Sequence, residues 1–226
     1  PSNYVVAATG ELQEASEKEW LNSRTSFTWT PVVTKEKNAG GQIRTITSSF
    51  PESATTTKTI TFKQDRVHDF AWFADKRFIV RHDTAQLKSG NIVDVYAYHL
   101  HSNDAGWANA VQSGKRALHH YSDLVGEYPY TVASVVEAPL GFAGGMEYPT
   151  ITAIYPIADR RSLDNVIVHE VGHNWFYGIL ASDERTYPWM DEGMNSYYDH
   201  KYDHIRYGET VHLEQIAFET KAVTKT

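Results

Sequence analysis

"NVIVHEVGHNWFYG", residues 165–178, sets two histidines four apart around a single glutamate, in a run with no other Asp, Glu, Lys or Arg. That spacing puts His169 and His173 on one face of a helix. At about 100° per residue, Leu163, Val166, Ile167, Val168, Val171, Trp175, Phe176, Ile179 and Leu180 fall around nearly the whole circumference, the pattern of a buried helix. The predicted helix covers about 162–181, with Ser162 as N-cap and Asp164 in the first turn, where the dipole favours a carboxylate. Inside it, Glu170 has no cationic neighbour in sequence, and a buried unpaired carboxylate either takes up a proton or needs a task.

The histidines supply one. Two imidazoles on one helix face can converge on an ion at about 2.0–2.1 Å each, with Glu170 beside them and able to reach a water rather than the metal. The bland reading is two core histidines bonded to carbonyls. A third ligand separates the two readings. Glu192 follows His173 after eighteen residues, in "YPWMDEGMNSYYD". The gap holds a helix end, a turn at about 182–187 and the start of a second helix, about 188–207, opened by Pro188 and closed by Gly208. Two neutral imidazoles and one carboxylate leave a zinc ion with net positive charge and an open fourth position, as hydrolysis requires. Read alone, Glu192 is a surface carboxylate near a helix start.

Upstream, residues 1–92 read as β-structure: "NYVVAAT", "SFTWTPVV", "QIRTITSSF", "TKTITFK" and "RFIVRH" are short β-branched and aromatic runs between turn residues, with "NAGG" at 38–41 as one turn. Their spacing is that of a sandwich or rolled sheet, or else of hairpins packed on the second half. After the strand "SGNIVDVYAYHL" (89–100), the stretch 103–129 takes a helical period through Trp107, Val111, Leu118, Tyr121 and Val125. "TVASVVEAP" and "TITAIYP" read as strands flanking a glycine-rich segment. The order strand, helix, strands, helices predicts an α+β fold with a boundary near residue 92.

Composition narrows the function. The 226 residues carry a net charge of -7 and no basic block, which excludes a nucleic-acid binder. With no cysteine, disulfides and thiolate zinc sites are excluded. No apolar run approaches the roughly 20 residues of a membrane span, and the compartment stays open. His119 and His120 on a helix, and His99 and His101 alternating on a strand, lack metal-ligand spacing and read as packing or surface groups.

"HEVGH" with "WMDEG", "GGMEYP" at 144–149 and "VHDFAWFAD" at 67–75 together resemble the gluzincin aminopeptidases related to aminopeptidase N and leukotriene hydrolase, over about 67–200 and in the family's order. The resemblance implies that residues 1–92 are the last part of an all-β N-terminal domain, and that 93–226 are a thermolysin-like catalytic domain of a small sheet plus helices, truncated at its C-terminal end. It implies one Zn2+ per chain, held by His169, His173 and Glu192, and Glu170 as general base in metal-assisted hydrolysis. Peptides with a free N-terminus would be the substrates. Glu147 would hold their α-amino group on an edge strand, with Gly144, Gly145 and Met146 alongside. Tyr148 stands where the motif commonly ends in Asn, which bears on the preferred first side chain. Ser196 or Asp199 would orient a histidine ligand.

The family's oxyanion-stabilising tyrosine lies several tens of residues beyond its glutamate ligand. The chain ends at Thr226, and Tyr197 and Tyr198 lie too close behind Glu192, so they read as helix packing. The expectation is a central fragment that binds zinc but turns over poorly alone. A thermolysin-like endopeptidase, an epoxide-hydrolysing relative and a zinc-binding scaffold are the rival readings.

Overall fold

The computed structural model describes residues 1–208 apart from 32, 39, 48 and 49, so the last stretch of the expected catalytic domain, 209–226, lies outside the described residues. The first part of the chain forms β1 (Val5–Ala8), β2 (Glu11–Leu12), α1 (Ala15–Asn22), β3 (Val33–Lys37), β4 (Ile43–Thr47), β5 (Phe62–Lys63) and β6 (Trp72–Asp75). There follow β7 (Ile79–Gln86), β8 (Ile92–His99), α2 (Asp104–Trp107), α3 (Ala110–Leu124), β9 (Val132–Glu137), β10 (Gly145–Tyr148), β11 (Ile151–Ile154), α4 (Arg160–His173) and α5 (Met194–Tyr207). The fold is α+β with a mixed sheet.

That sheet has five strands in the order β10-β11-β9-β8-β7. β8 and β9 are parallel because α2 and α3 carry the chain back between them. β9 and β11 are also parallel, while β7 and β10 close the two edges antiparallel. Alternation divides the core. Val93, Val95, Ala97, Ala133 and Val135 face α3 and α4, whereas Tyr96, Tyr98, Val132 and Val136 face the N-terminal segments. With both faces covered, β9 is buried at every position and reads in sequence as one apolar run.

The N-terminal part departs from the sequence reading. β1 pairs with β6, β2 with β5 and β3 with β4, as three separate two-stranded pairs rather than one sandwich or rolled sheet. Among the described residues, "SFTWTPVV" forms no strand before Val33, and only Phe62–Lys63 of "TKTITFK" pairs. "ASEKEWLN" is a helix, α1, built from Ala, Glu, Lys and Leu, and it buries Leu21. Strand-like runs on both sides obscured it. The hairpin of β7 and β8 spans residue 92, so the central sheet draws strands from both sides of the expected boundary.

Candidate metal centre

α4 begins two residues earlier than its periodicity indicated. Asp159, not Ser162, is the N-cap: its Oδ2 accepts from the Ser162 amide at 2.8 Å and from the Ser162 hydroxyl at 2.7 Å. Asp164 is no dipole partner either. It is buried, paired with Arg116 and bonded by the hydroxyls of Tyr202 (2.8 Å) and Tyr207 (2.6 Å), which ties α3, α4 and α5 together. The α-helical part stops at His173 and continues as a π-helical turn over Asn174–Ile179. A second π-helical turn, Trp189–Gly193, leads into α5 and carries Glu192. Gly208, at φ 71°, closes α5.

Three ligand atoms converge. His169 Nε2 and His173 Nε2 are 3.1 Å apart, and Glu192 Oε2 stands 3.5 Å from the first and 3.9 Å from the second. Donors about 2.0–2.1 Å from a tetrahedral zinc are separated by about 3.3–3.4 Å, so the triangle fits. The far ring nitrogens are both occupied. His169 Nδ1 lies 2.6 Å from Asp199 Oδ2, and His173 Nδ1 bonds Asp191. With Nδ1 donating on each ring, the neutral forms turn two Nε2 lone pairs at each other, a repulsion that a shared cation relieves. Burial opposes charge on both rings, but the hydrogen bonds of Asp199 and Glu192 to His169, and of Asp191 to His173, outweigh it and raise both pKa values. Hydrogen bonding to His169 also holds the Glu192 carboxyl below its ordinary value.

A second set, Glu147, His173 and Asp191, also brings one ligand atom each within 4.8 Å of the others. It shares His173, and Asp191 is already committed to that ring's Nδ1. The first set is therefore the metal candidate.

Of the two residues expected to orient a histidine, Asp199 does so and Ser196 does not: Ser196 lines the cleft. Three supports escaped the sequence reading. Asp191 is buried behind His173. Asn195 donates from Nδ2 to the His169 carbonyl at 2.7 Å. The buried Tyr121 hydroxyl of α3 stands 2.8 Å from both Asn195 Oδ1 and Asp199 Oδ1. The adjacency of Asp191 to Glu192 was the one available signal, and it does not distinguish a support from a solvated carboxylate. Tyr198 stacks on Phe176 at 5.3 Å, as packing.

Glu170 is only 4% exposed, and its Oε2 has no hydrogen-bond partner. Burial pushes its carboxyl up to about 7, with the histidines pulling down and Glu147 and Glu192 pushing up. A carboxyl whose folded pKa exceeds its unfolded value is stabilising only while protonated, so stability is lost as pH rises from about 4.5 to about 7. In metal-free protein the stability difference between Glu170→Gln and wild type should therefore widen across that window by about 3 kcal/mol. Denaturant titrations at pH 4.5 and 8 measure it, and a difference that does not change with pH would contradict it.

The glycine-rich segment sits against this carboxylate. A Cβ on Gly145 would lie 2.4 Å from Glu170 Cδ, so the missing side chain there makes room for Glu170. Gly144 adopts φ 131°, open to glycine alone. On the edge strand β10, Gly145 and Glu147 face the cleft. Met146 alternates to the other face with Tyr148, so its side chain lies outside the cleft lining. Burial raises the Glu147 carboxyl. The cleft, of about 450 Å³, brings together Gly144, Glu147, His169, Glu170, His173 and Glu192.

The sequence is 33% identical over 98 residues to leukotriene A-4 hydrolase of Xenopus laevis, covering 42% of this chain and 16% of that protein. It is 33% identical over 88 residues to aminopeptidase B of Rattus norvegicus, covering 38% of the chain and 14% of that protein. The chain thus spans a small part of the length of the curated relatives it matches. No protein-family profile matches it. In fold it is similar to the M1 zinc metallopeptidase of Deinococcus radiodurans, with a TM-score of 0.59 and 19% identity over 93% of this chain and 40% of that one. A mutant of that protein has been solved with a Tyr-Ser-Ala substrate. The sequence matches and the similar fold fit a fragment of a protein like the zinc metallopeptidases, with leukotriene A-4 hydrolase and aminopeptidase B as sequence relatives.

Proposed function

We propose that the protein is a zinc-dependent aminopeptidase, its catalytic part built on the five-stranded sheet, α3, α4 and α5 in a thermolysin-like manner. The observation that carries the reading is one buried carboxylate with an unpartnered oxygen, Glu170, beside three converging ligand atoms in an open cleft. His169, His173 and Glu192 would hold one zinc ion per chain. When bound, the metal supplies Lewis-acid activation of water and of the scissile carbonyl.

The chain's own residues do the rest. Glu170 takes a proton from the attacking water and passes it to the departing amine, a transfer suited by a pKa near 7. Asp199 and Asp191 fix the two rings with Nε2 facing inward. Glu147 receives the substrate α-ammonium, whose charge offsets the cost of burying that carboxylate.

The test is zinc-reconstituted protein assayed with an aminoacyl amide and its N-acetylated counterpart. The free-amine substrate is expected to be cleaved and the acetylated one rejected, and Glu147→Ala should lower kcat/KM on the free amine by about 10²-fold. Equal cleavage of blocked and free substrates would point to an endopeptidase.

A further inference from the structure

We infer that the end of the cleft beyond His169 receives the side chain that follows the scissile bond, and that Asp203 and Asn165 there select a basic one. This rests on the aminopeptidase reading and deepens it. α4 and α5 run antiparallel: Asp199 meets His169, and Tyr202 meets Asp164 farther along. Asn165 lies one turn before His169 and Asp203 one turn after Asp199, so the two stand on facing stretches of the helices, and both line the cavity.

The cleft therefore has two ends. Glu147 marks the His173 end, with one ligand atom each from Glu147, His173 and Asp191 within 4.8 Å of one another. A peptide with its ammonium at Glu147 and its first carbonyl over the ligand triangle directs its second residue toward Asn165 and Asp203.

What waits there is a set of acceptors. Asn165 Oδ1 and Asp203 Oδ1 are each closed off from solvent without a hydrogen-bond partner, so turning either oxygen toward a donor in the cavity gains free energy. Among the described residues the cavity lining holds five carboxylates and no Lys or Arg. Asp199 is committed to His169. Arg161 and His200 are the cationic groups whose charge reaches Asp203, and the neighbouring carboxylates Asp199 and Asp164 oppose them. Val166 offers an apolar wall for a methylene stem. A lysine ammonium or arginine guanidinium in the cavity would give both oxygens a donor to turn toward, whereas an aliphatic side chain would leave them unpaired and an acidic one would add repulsion.

The experiment uses the peptides Ala-Lys-Ala, Ala-Arg-Ala, Ala-Leu-Ala and Ala-Asp-Ala. Kd is measured by calorimetry on zinc-loaded Glu170→Gln protein and kcat/KM on wild type. The basic peptides are expected to exceed the leucine peptide by about tenfold in both readouts, with the aspartate peptide weakest. Asp203→Asn and Asp203→Ala, placed in both backgrounds, should bring the lysine-to-leucine ratio to about one. A defect of folding would weaken all four peptides alike and leave that ratio intact, and the near-isosteric Asn variant carries the test if the Ala variant does not fold. Peptides bound and cleaved without preference, or a preference that persists in both variants, overturn this inference alone. Failure to bind any of the four overturns the aminopeptidase reading together with it.

Discussion

Glu170→Gln is expected to lower kcat by about 10³-fold while the protein keeps its zinc. Glutamine has the shape of glutamate but cannot take a proton from water. Glu170 is not one of the three converging groups, so the metal should stay at full occupancy. Nor should the fold suffer. The carboxylate is buried with one oxygen unpartnered, and a neutral amide in its place removes a desolvation cost rather than a bond. The combination is what tests the role: a dead enzyme that has lost its metal would make Glu170 a ligand or a structural group. Metal analysis and single-turnover kinetics on one preparation decide it, and a kcat within tenfold of wild type would remove Glu170 as the base.

Gly172→Ala should unfold or loosen the site from behind. Alanine ordinarily favours a helix by about 1 kcal/mol over glycine. Here a Cβ would stand 2.1 Å from Asn195 Oδ1 and 2.3 Å from the Tyr121 hydroxyl. Neither neighbour can step aside cheaply. Asn195 is fully buried and holds the His169 carbonyl, and Tyr121 is fully buried and stacked on Trp175 at 5.2 Å. Overpacking costs about 1–3 kcal/mol and more where the surroundings are rigid, so it outweighs the propensity gain. The expected result is a net loss of about 2 kcal/mol or more, a Tm lower by about 4–8 °C, and zinc affinity reduced about 10–100-fold through the displaced Asn195, Tyr121 and Asp199 behind His169. Thermal melts and a competitive zinc titration read both. A variant that melts with wild type and binds zinc as tightly would show that this contact relaxes freely.

Much of the site is legible because it is local. His169, Glu170 and His173 are fixed relative to one another by the helical repeat, and Glu192 needs only a helix end, a turn and a return within eighteen residues. The same holds for the α+β plan, since β8, β9 and β11 are short runs rich in β-branched and other apolar residues. The part misread, around α1 and the paired strands before Asp75, is where local propensity is weak and pairing partners lie far apart: β1 with β6, and β2 with β5.

By itself, the sequence determined that two histidines can share an ion and that a carboxylate stands beside them, because one turn of helix sets those positions. Only the tertiary structure decided what orients them. Asp191, Asn195 and Tyr121 reach the histidines because α3, α4 and α5 pack at contact distance. Gly145 and Gly172 are required because a carboxylate and a tyrosine fill the space a methyl group would take. Periodicity acts along one chain segment, whereas these contacts join elements separated by tens of residues, and packing alone brings those elements together.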